Sequence, residues 1–180
     1  MGVPSPNPPF TQDPSGGFRE AMRRLAASVT IITARDEEGR PHGMVASAVI
    51  PVSMEPASML VAVNRSASLH PVLVRTRRFC VNILGCQQED LLAPFSQSAL
   101  REHRFRSADW HGATGAEHRV LPWLRTASAV IHCDVDWTAD YGTHTLFVGL
   151  VQAVQCPEAA HETYPLVWLA GRKASITTAA

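Results

Sequence analysis

Along residues 17–28, GFREAMRRLAAS, the apolar residues Phe18, Met22 and Leu25 recur at helical spacing with Arg and Glu between them, which predicts an amphipathic helix. The next stretch, VTIITARDEEGRPHG, changes period. It reads as a strand over 29–33, a polar turn ending at Gly39, and a second strand from His42. SMLVAVN (58–64) is a continuous apolar run of the kind found in a buried strand. A helical segment over 69–75, a strand FCVNIL (79–84) and a short helix over 87–96 broken at Pro94 follow. The polar region 97–119 shows little periodicity and is expected to form loop and short helix. Residues 127–139, ASAVIHCDVDWTA, alternate. Ala129, Ile131, Cys133, Val135 and Trp137 take one face, expected dry, and Val130, His132, Asp134 and Asp136 take the other, expected wet. HTLFVGLVQAVQC (144–156) predicts a second long strand, and PLVWLAG (165–171) closes the pattern.

This gives six or seven strands, mostly joined by short turns, with a helix in front. Strands and helices do not alternate regularly, which disfavours a doubly wound parallel sheet. The expected fold is mainly β: a closed antiparallel barrel with peripheral helices. One domain is expected over residues 17–180. Residues 1–16 are rich in Pro and polar side chains and are expected to form a disordered arm, or one that lies across a partner subunit.

Composition narrows the function. The 180 residues carry no net charge, with a pI near 7.1, and Lys173 is the only lysine. Neither nucleic-acid binding nor a polybasic membrane patch is indicated. No apolar run approaches the roughly 20 residues of a membrane span. The N-terminus lacks a charged start and an apolar segment, and Pro6 breaks the myristoylation pattern begun by Gly2, so a cytoplasmic protein is expected. Cys80, Cys86, Cys133 and Cys156 form no C-x-x-C pair and read as free thiols. The histidines show no metal-ligand spacing, so no metal is expected. No Gly-rich nucleotide loop and no G-x-S-x-G elbow occur.

Two stretches carry candidate chemistry. Residues 42–56, HGMVASAVIPVSMEP, read as one long strand interrupted at Pro51. Met44, Ala46, Ala48, Ile50 and Val52 would face the core. Gly43, Val45, Ser47, Val49, Pro51 and Ser53 would form a small-residue row against which a flat ligand can lie. Pro51 cannot donate to a ladder, so a break or bulge is expected there. An edge strand with small exposed residues is the alternative. NRSASLHP (64–71) leaves a buried strand and opens a helix with Asn64, Arg65, Ser66, Ser68 and His70. Hydroxyls and first-turn N–H groups there suit an anion, or Ser66 or Ser68 simply caps the helix.

Taken in order, FREAMRRLAASVTIITA, HGMVASAVIPVSMEPASMLVAVNRSASLHP, FCVNIL, Arg104–Phe105, GTHTLFVG and PLVWLAGR resemble the flavin reductase-like family over residues 18–172. The family comprises reductase components of two-component flavin monooxygenases. The resemblance implies an FMN-binding split barrel, a homodimer, FMN or FAD as cofactor, NADH or NADPH as reductant, and a partner monooxygenase that receives the reduced flavin. By position it implies that Met44, Val45, Ala46, Ser47, Val52 and Ser53 lie along the isoalloxazine and ribityl chain. It further implies that Asn64, Ser66, Ser68 and His70 lie near the phosphate with help from Arg104. His144 is the candidate to orient the nucleotide or donate to the reduced flavin; a structural turn residue at the strand start is the alternative. Where the family reads Gly-Asp-His this chain has Gly142-Thr143-His144, so no charge sits beside His144. Ala57 and Lys173 stand where the family often has Pro and an aromatic residue. Two other readings remain: a flavoprotein of this fold acting directly on an organic substrate, and a non-redox binding protein.

Overall fold

The computed structural model describes residues 13–107, 109–113, 120–157 and 164–176. In chain order the elements are α1 (Pro14–Met22), β1 (Ala27–Ser28), β2 (Thr30–Arg35), β3 (Pro41–Ala46), β4 (Val49–Met54), β5 (Ala57–Asn64) and α2 (His70–Thr76). There follow β6 (Arg78–Ile83), α3 (Leu92–Ser96), β7 (Trp110–His111), β8 (Trp123–Leu124), β9 (Ala129–Tyr141), β10 (His144–Gln155), β11 (Val167–Leu169) and β12 (Arg172–Ala174). Short 3₁₀ turns over Cys86–Leu91 and Ser98–His103 flank α3.

Seven strands form one antiparallel sheet in the order β3-β2-β6-β9-β10-β5-β4, and β1, β11 and β12 form a second, smaller sheet. Four strands lie between β3 and β5 in that order, yet Ala46 of β3 shares one buried cluster with Val61 and Val63 of β5 and Phe147 of β10. The sheet is therefore curled on itself, with its two edges brought near one another: a split barrel. Leu69, Val72 and Leu73 from α2 and the residue before it fill the same interior. β2 is buried at every position because its other face is covered too. Ile31, Cys80 and Val130 pack there against Phe95, Phe105, Trp110 and Leu124 from the long connection between β6 and β9.

Several expectations are corrected. The predicted front helix spans Pro14–Met22, so it begins inside the expected arm and stops before β1; the remainder of that arm, residues 1–12, lies outside the described residues. The single strand expected over 42–56 is two strands, β3 and β4, on opposite edges of the sheet, with Ser47–Ala48 crossing between them. The crossing ends the alternation, so Ile50 and Val52 are 55% and 51% exposed instead of core. The expected irregularity at Pro51 is present as a register shift between Pro51 and Ser53 on edge strand β4. On β9, the expected wet face is dry at Val130 because the β6–β9 connection covers it. A bulge at Asp136 puts Val135 opposite Gly149 and Trp137 opposite Val148, turning Trp137 to the outside.

Candidate functional site

The site begins where β3 gives out. Ser47 and Ala48 are exposed, and Ala48 O accepts a hydrogen bond of 3.0 Å from Ala62 N of β5. Beside this crossing lies a groove of about 500 Å³ walled by Met22, Leu25, Ala27, Ser47, Ala48 and Trp168, with Arg19 and Arg23 at its margin. A second hollow of about 260 Å³, lined by Val29, Val45, Leu92 and Ser96, shares Ser47 and Trp168 with it. The far wall is set by the small sheet, in which Trp168 of β11 pairs with Ala27 of β1. The end of α1 is pinned there by two bonds: Arg23 Nη2 donates to Ala170 O at 3.1 Å, and Ala170 N donates to Arg23 O at 2.7 Å. The result is a mostly apolar slot over small residues, suited in size and chemistry to a flat heteroaromatic ring.

Of the residues expected along such a ring, Ser47 lines both the groove and the smaller hollow, and Val45 lines the smaller hollow. Met44 and Ala46, alternating with them, pack into the barrel interior. Val52 and Ser53 lie further along on β4, and the Ser53 hydroxyl is engaged in a turn: it donates to Glu55 O and accepts from Glu55 N, both at 3.0 Å. Gly43 is small for a packing reason, since a Cβ there would sit 2.7 Å from the Phe95 ring.

The second part of the site follows β5. Asn64 is two residues beyond Ala62, about 7 Å along the strand from the groove. After it the chain turns tightly, with Asn64 Oδ1 accepting from Ser66 N at 2.9 Å and from Ser66 Oγ at 2.8 Å. The residue that caps α2 is Leu69, so neither Ser66 nor Ser68 is the cap. The N–H groups of Ala67 and His70 bond within the turn, to Asn64 O and Ala67 O, and so are not offered to an anion. His70 Nε2 lies 2.8 Å from Thr145 Oγ1, which donates to Asp140 Oδ1.

His144 opens β10 and pairs directly with Asn64, so the two expected parts of the site meet. Its Nδ1 lies 2.9 Å from Thr143 Oγ1. Arg65, which the pattern did not single out, holds the turn before it: Arg65 N donates to Thr143 O at 2.9 Å, and Nη2 donates to Gly142 O at 2.5 Å. Thr145 and Asp140 were missed as well. On a strand they read as ordinary alternation, and only the fold brings them to His70.

Arg104 is not brought to this loop. Its Nε donates to Pro94 O at 2.7 Å and its guanidinium stacks 5.7 Å from the Phe95 ring centre, clamping α3 beside a cleft of about 560 Å³ that also holds Arg40, His42 and Arg101. Burial, then the neighbouring Arg101, lowers its pKa. In the same region Asp36 is buried. Burial would raise its pKa, but hydrogen bonds from His42 and Arg40, with the Arg40 charge, outweigh this and hold the carboxyl well below the usual range. Burial pushes the thiol of Cys133 up to about 12 and that of Cys80 higher still, so neither is a ready nucleophile. Among the described residues no group of three or more His, Cys, Asp or Glu is placed to hold a metal ion.

Comparison with known proteins gives this geometry a context. The profile of the flavin reductase like domain matches residues 22–177. The reductase component of an FADH(2)-dependent resorcinol hydroxylase from Rhizobium sp. (strain MTP-10005) is 41% identical over 152 residues, covering 84% of this chain and 81% of its own. The FMN reductase (NADH) RutF of Escherichia coli O157:H7 is 38% identical over 153 residues, covering 84% and 87%. Among solved structures, the styrene monooxygenase flavin reductase of Pseudomonas putida S12 superimposes with a TM-score of 0.77 at 29% identity, over 91% of this chain and 99% of its own.

Proposed function

The chain belongs to the flavin reductase-like family, and from that premise we propose that it is an NAD(P)H-dependent flavin reductase supplying reduced FMN or FAD to a partner monooxygenase. The observation that carries this is the placing of a flat, small-floored groove at Ser47–Ala48 about 7 Å, two β5 residues, from the polar loop at Asn64–His70. An isoalloxazine ring suits the first and a phosphate the second. Val45, Ser47, Ala48 and Trp168 would hold the ring, and Asn64, Ser66, Ser68 and His70 the phosphate.

A bound flavin would supply the chemistry, accepting hydride from a nicotinamide and leaving for the oxygenase as reduced flavin. What the chain must do is position and expose. Ser47 and Ala48 leave the ring's face open to a stacked nicotinamide, which larger side chains would cover. His144, set across the ladder from Asn64, is the group placed to hydrogen-bond the nicotinamide or the reduced ring. No general base is called for. Relatives described as FADH(2)-dependent and as FMN- and NADH-using support either flavin.

The protein acts as a homodimer. Ile50, Leu60, Val148 and Trp137 are consecutive partners across β4, β5, β10 and β9, forming an apolar row on the outside of the barrel. Met54 and Tyr141 are 83% and 82% exposed, and Phe18 on α1 is 65% exposed. So much outward apolar surface supports a covering subunit. No described helix is long and apolar enough to cross a membrane, and the free cysteines suit a reducing compartment such as the cytoplasm.

Steady-state oxidation of NADH or NADPH with and without added FMN or FAD tests the proposal. Turnover that rises with added flavin supports a reductase. Oxidation that needs an organic acceptor instead, or none at all, overturns it.

A further inference from the structure

His70, Thr145 and Asp140 form a hydrogen-bonded chain with a fixed direction. Thr145 is 4% exposed, and its one hydroxyl hydrogen is given to Asp140 Oδ1. Its oxygen can therefore only accept from His70 Nε2, 2.8 Å away, so Nε2 must carry a hydrogen. The ring is steadied by an edge contact with Phe147, at 5.8 Å between centres and 67° between planes. A neutral imidazole has one N–H. With that N–H committed to Thr145, Nδ1 presents a lone pair, which an anion does not welcome.

The charged and titratable groups on the neighbouring elements are few. Asp140 on β9 acts through Thr145. Arg65, on the loop, lies 3.7 Å from Asp140. His144 on β10 stands across from Asn64. Asp140 lies at the far end of the chain, and its acceptor oxygen is what turns the Thr145 hydroxyl away from His70.

We infer that flavin binding is coupled to proton uptake: a phosphate on the Asn64–His70 loop meets His70 only through Nδ1, and its arrival draws a solvent proton onto that nitrogen. Asp140 and Thr145 are positioning residues for this step, since they commit Nε2 and so deny the neutral ring a donor. The inference rests on the reading that the flavin phosphate lies on this loop. It adds that the loop's histidine binds as the imidazolium, and that a carboxylate on another strand makes it so.

Calorimetric titration of the protein with FMN, in buffers of different ionisation enthalpy, counts the protons exchanged. At pH 8, about two units above the second phosphate pKa near 6, the FMN phosphate stays a dianion, so differences between variants report on the protein. Wild type is expected to take up more protons than His70→Asn, by an amount approaching about one per chain. Asp140→Ala should remove most of that difference, because the freed Thr145 hydroxyl can then donate to Nε2 and leave a neutral Nδ1–H for the phosphate. Asp140→Asn, whose amide oxygen still accepts, should keep it. Asp140 is 63% exposed, so these substitutions leave the core intact. Equal proton counts in wild type, His70→Asn and Asp140→Ala, with FMN affinity reduced in His70→Asn, would overturn the inference and leave the phosphate site standing. Unchanged FMN affinity in both His70→Asn and Ser68→Ala would overturn the phosphate site and the inference together.

Discussion

His144 at the head of β10 and Asn64 at the end of β5 are direct partners in the ladder, so the turn that presents His144 and the loop that follows Asn64 leave the sheet side by side. Arg65 fastens one to the other through Thr143 O and Gly142 O. A ligand seated on the loop lies within about one strand spacing of His144.

That adjacency separates two roles. His144→Ala should slow flavin reduction by NADH at least tenfold, a loss of about 1.4 kcal/mol of transition-state stabilisation, while flavin affinity changes far less. Stopped-flow reduction of bound flavin, compared with a flavin titration, checks this. Equal reduction rates would reduce His144 to a turn residue held by Thr143.

Replacing Ser66 and Ser68 together by Ala should weaken FMN binding more than tenfold: Ser68 loses a hydrogen bond to the charged group, about 1.5–3 kcal/mol, and Ser66, whose hydroxyl donates to Asn64 Oδ1, loses the bond that shapes the loop. Ser66 also supports the Asn64 turn, so thermal melts must accompany the titration. Quenching of flavin fluorescence gives the affinity. An unchanged value with the fold intact would move the phosphate elsewhere.

Trp137→Glu or Ile50→Lys should convert a dimer to a monomer, because each puts a charge into the outward apolar row. Light scattering of wild type at micromolar concentration should give twice the 19.6 kDa chain mass. A wild type that runs as a monomer while binding flavin tightly would rule out a pocket completed by a second subunit.

Asp36 predicts a pH dependence of stability. Its carboxyl is held below the ordinary value near 3.9 by His42 and Arg40 against the cost of burial. A carboxylate so depressed stabilises the fold fully above its unfolded pKa and loses that contribution as pH falls through the folded one. Asp36→Asn should therefore lower the melting temperature by several degrees at pH 7, and the gap to wild type should narrow below about pH 4. A gap that widens on acidification would show that the pair does not stabilise the charged form.

The barrel was legible because its strands are strongly patterned: the continuous apolar run of β5, the long alternating β9 and β10, and the bulge forced by Pro51 all appear in the residue order. What misled was parity. Ser47–Ala48 carry the chain from one sheet edge to the other, and nothing in two small residues marks a crossing, so Ile50 and Val52 were placed in the core. The extra residue at Asp136 inverted Trp137 in the same way. At the site, Ser47 and the Asn64–His70 loop were readable as small and polar residues against apolar flanks. Trp168, Thr145 and Asp140 were not, because each meets its partners across a long span of sequence; Arg65 stood in the readable stretch, but its bonds to Gly142 O and Thr143 O appear only in the fold. Arg104 was assigned to the phosphate by the resemblance, whereas in this structure its guanidinium is occupied by Pro94 O and Phe95.

The central claim is that NAD(P)H reduces flavin in the groove floored by Ser47. Ser47→Trp would fill that groove from an exposed position, without disturbing either core. The direct measurement is NADH oxidation by wild type and Ser47→Trp, with and without added FMN or FAD. Wild type should oxidise NADH only when flavin is present, and the folded variant should lose at least tenfold of that rate. A variant as active as wild type, or a wild-type rate indifferent to flavin, would contradict the account.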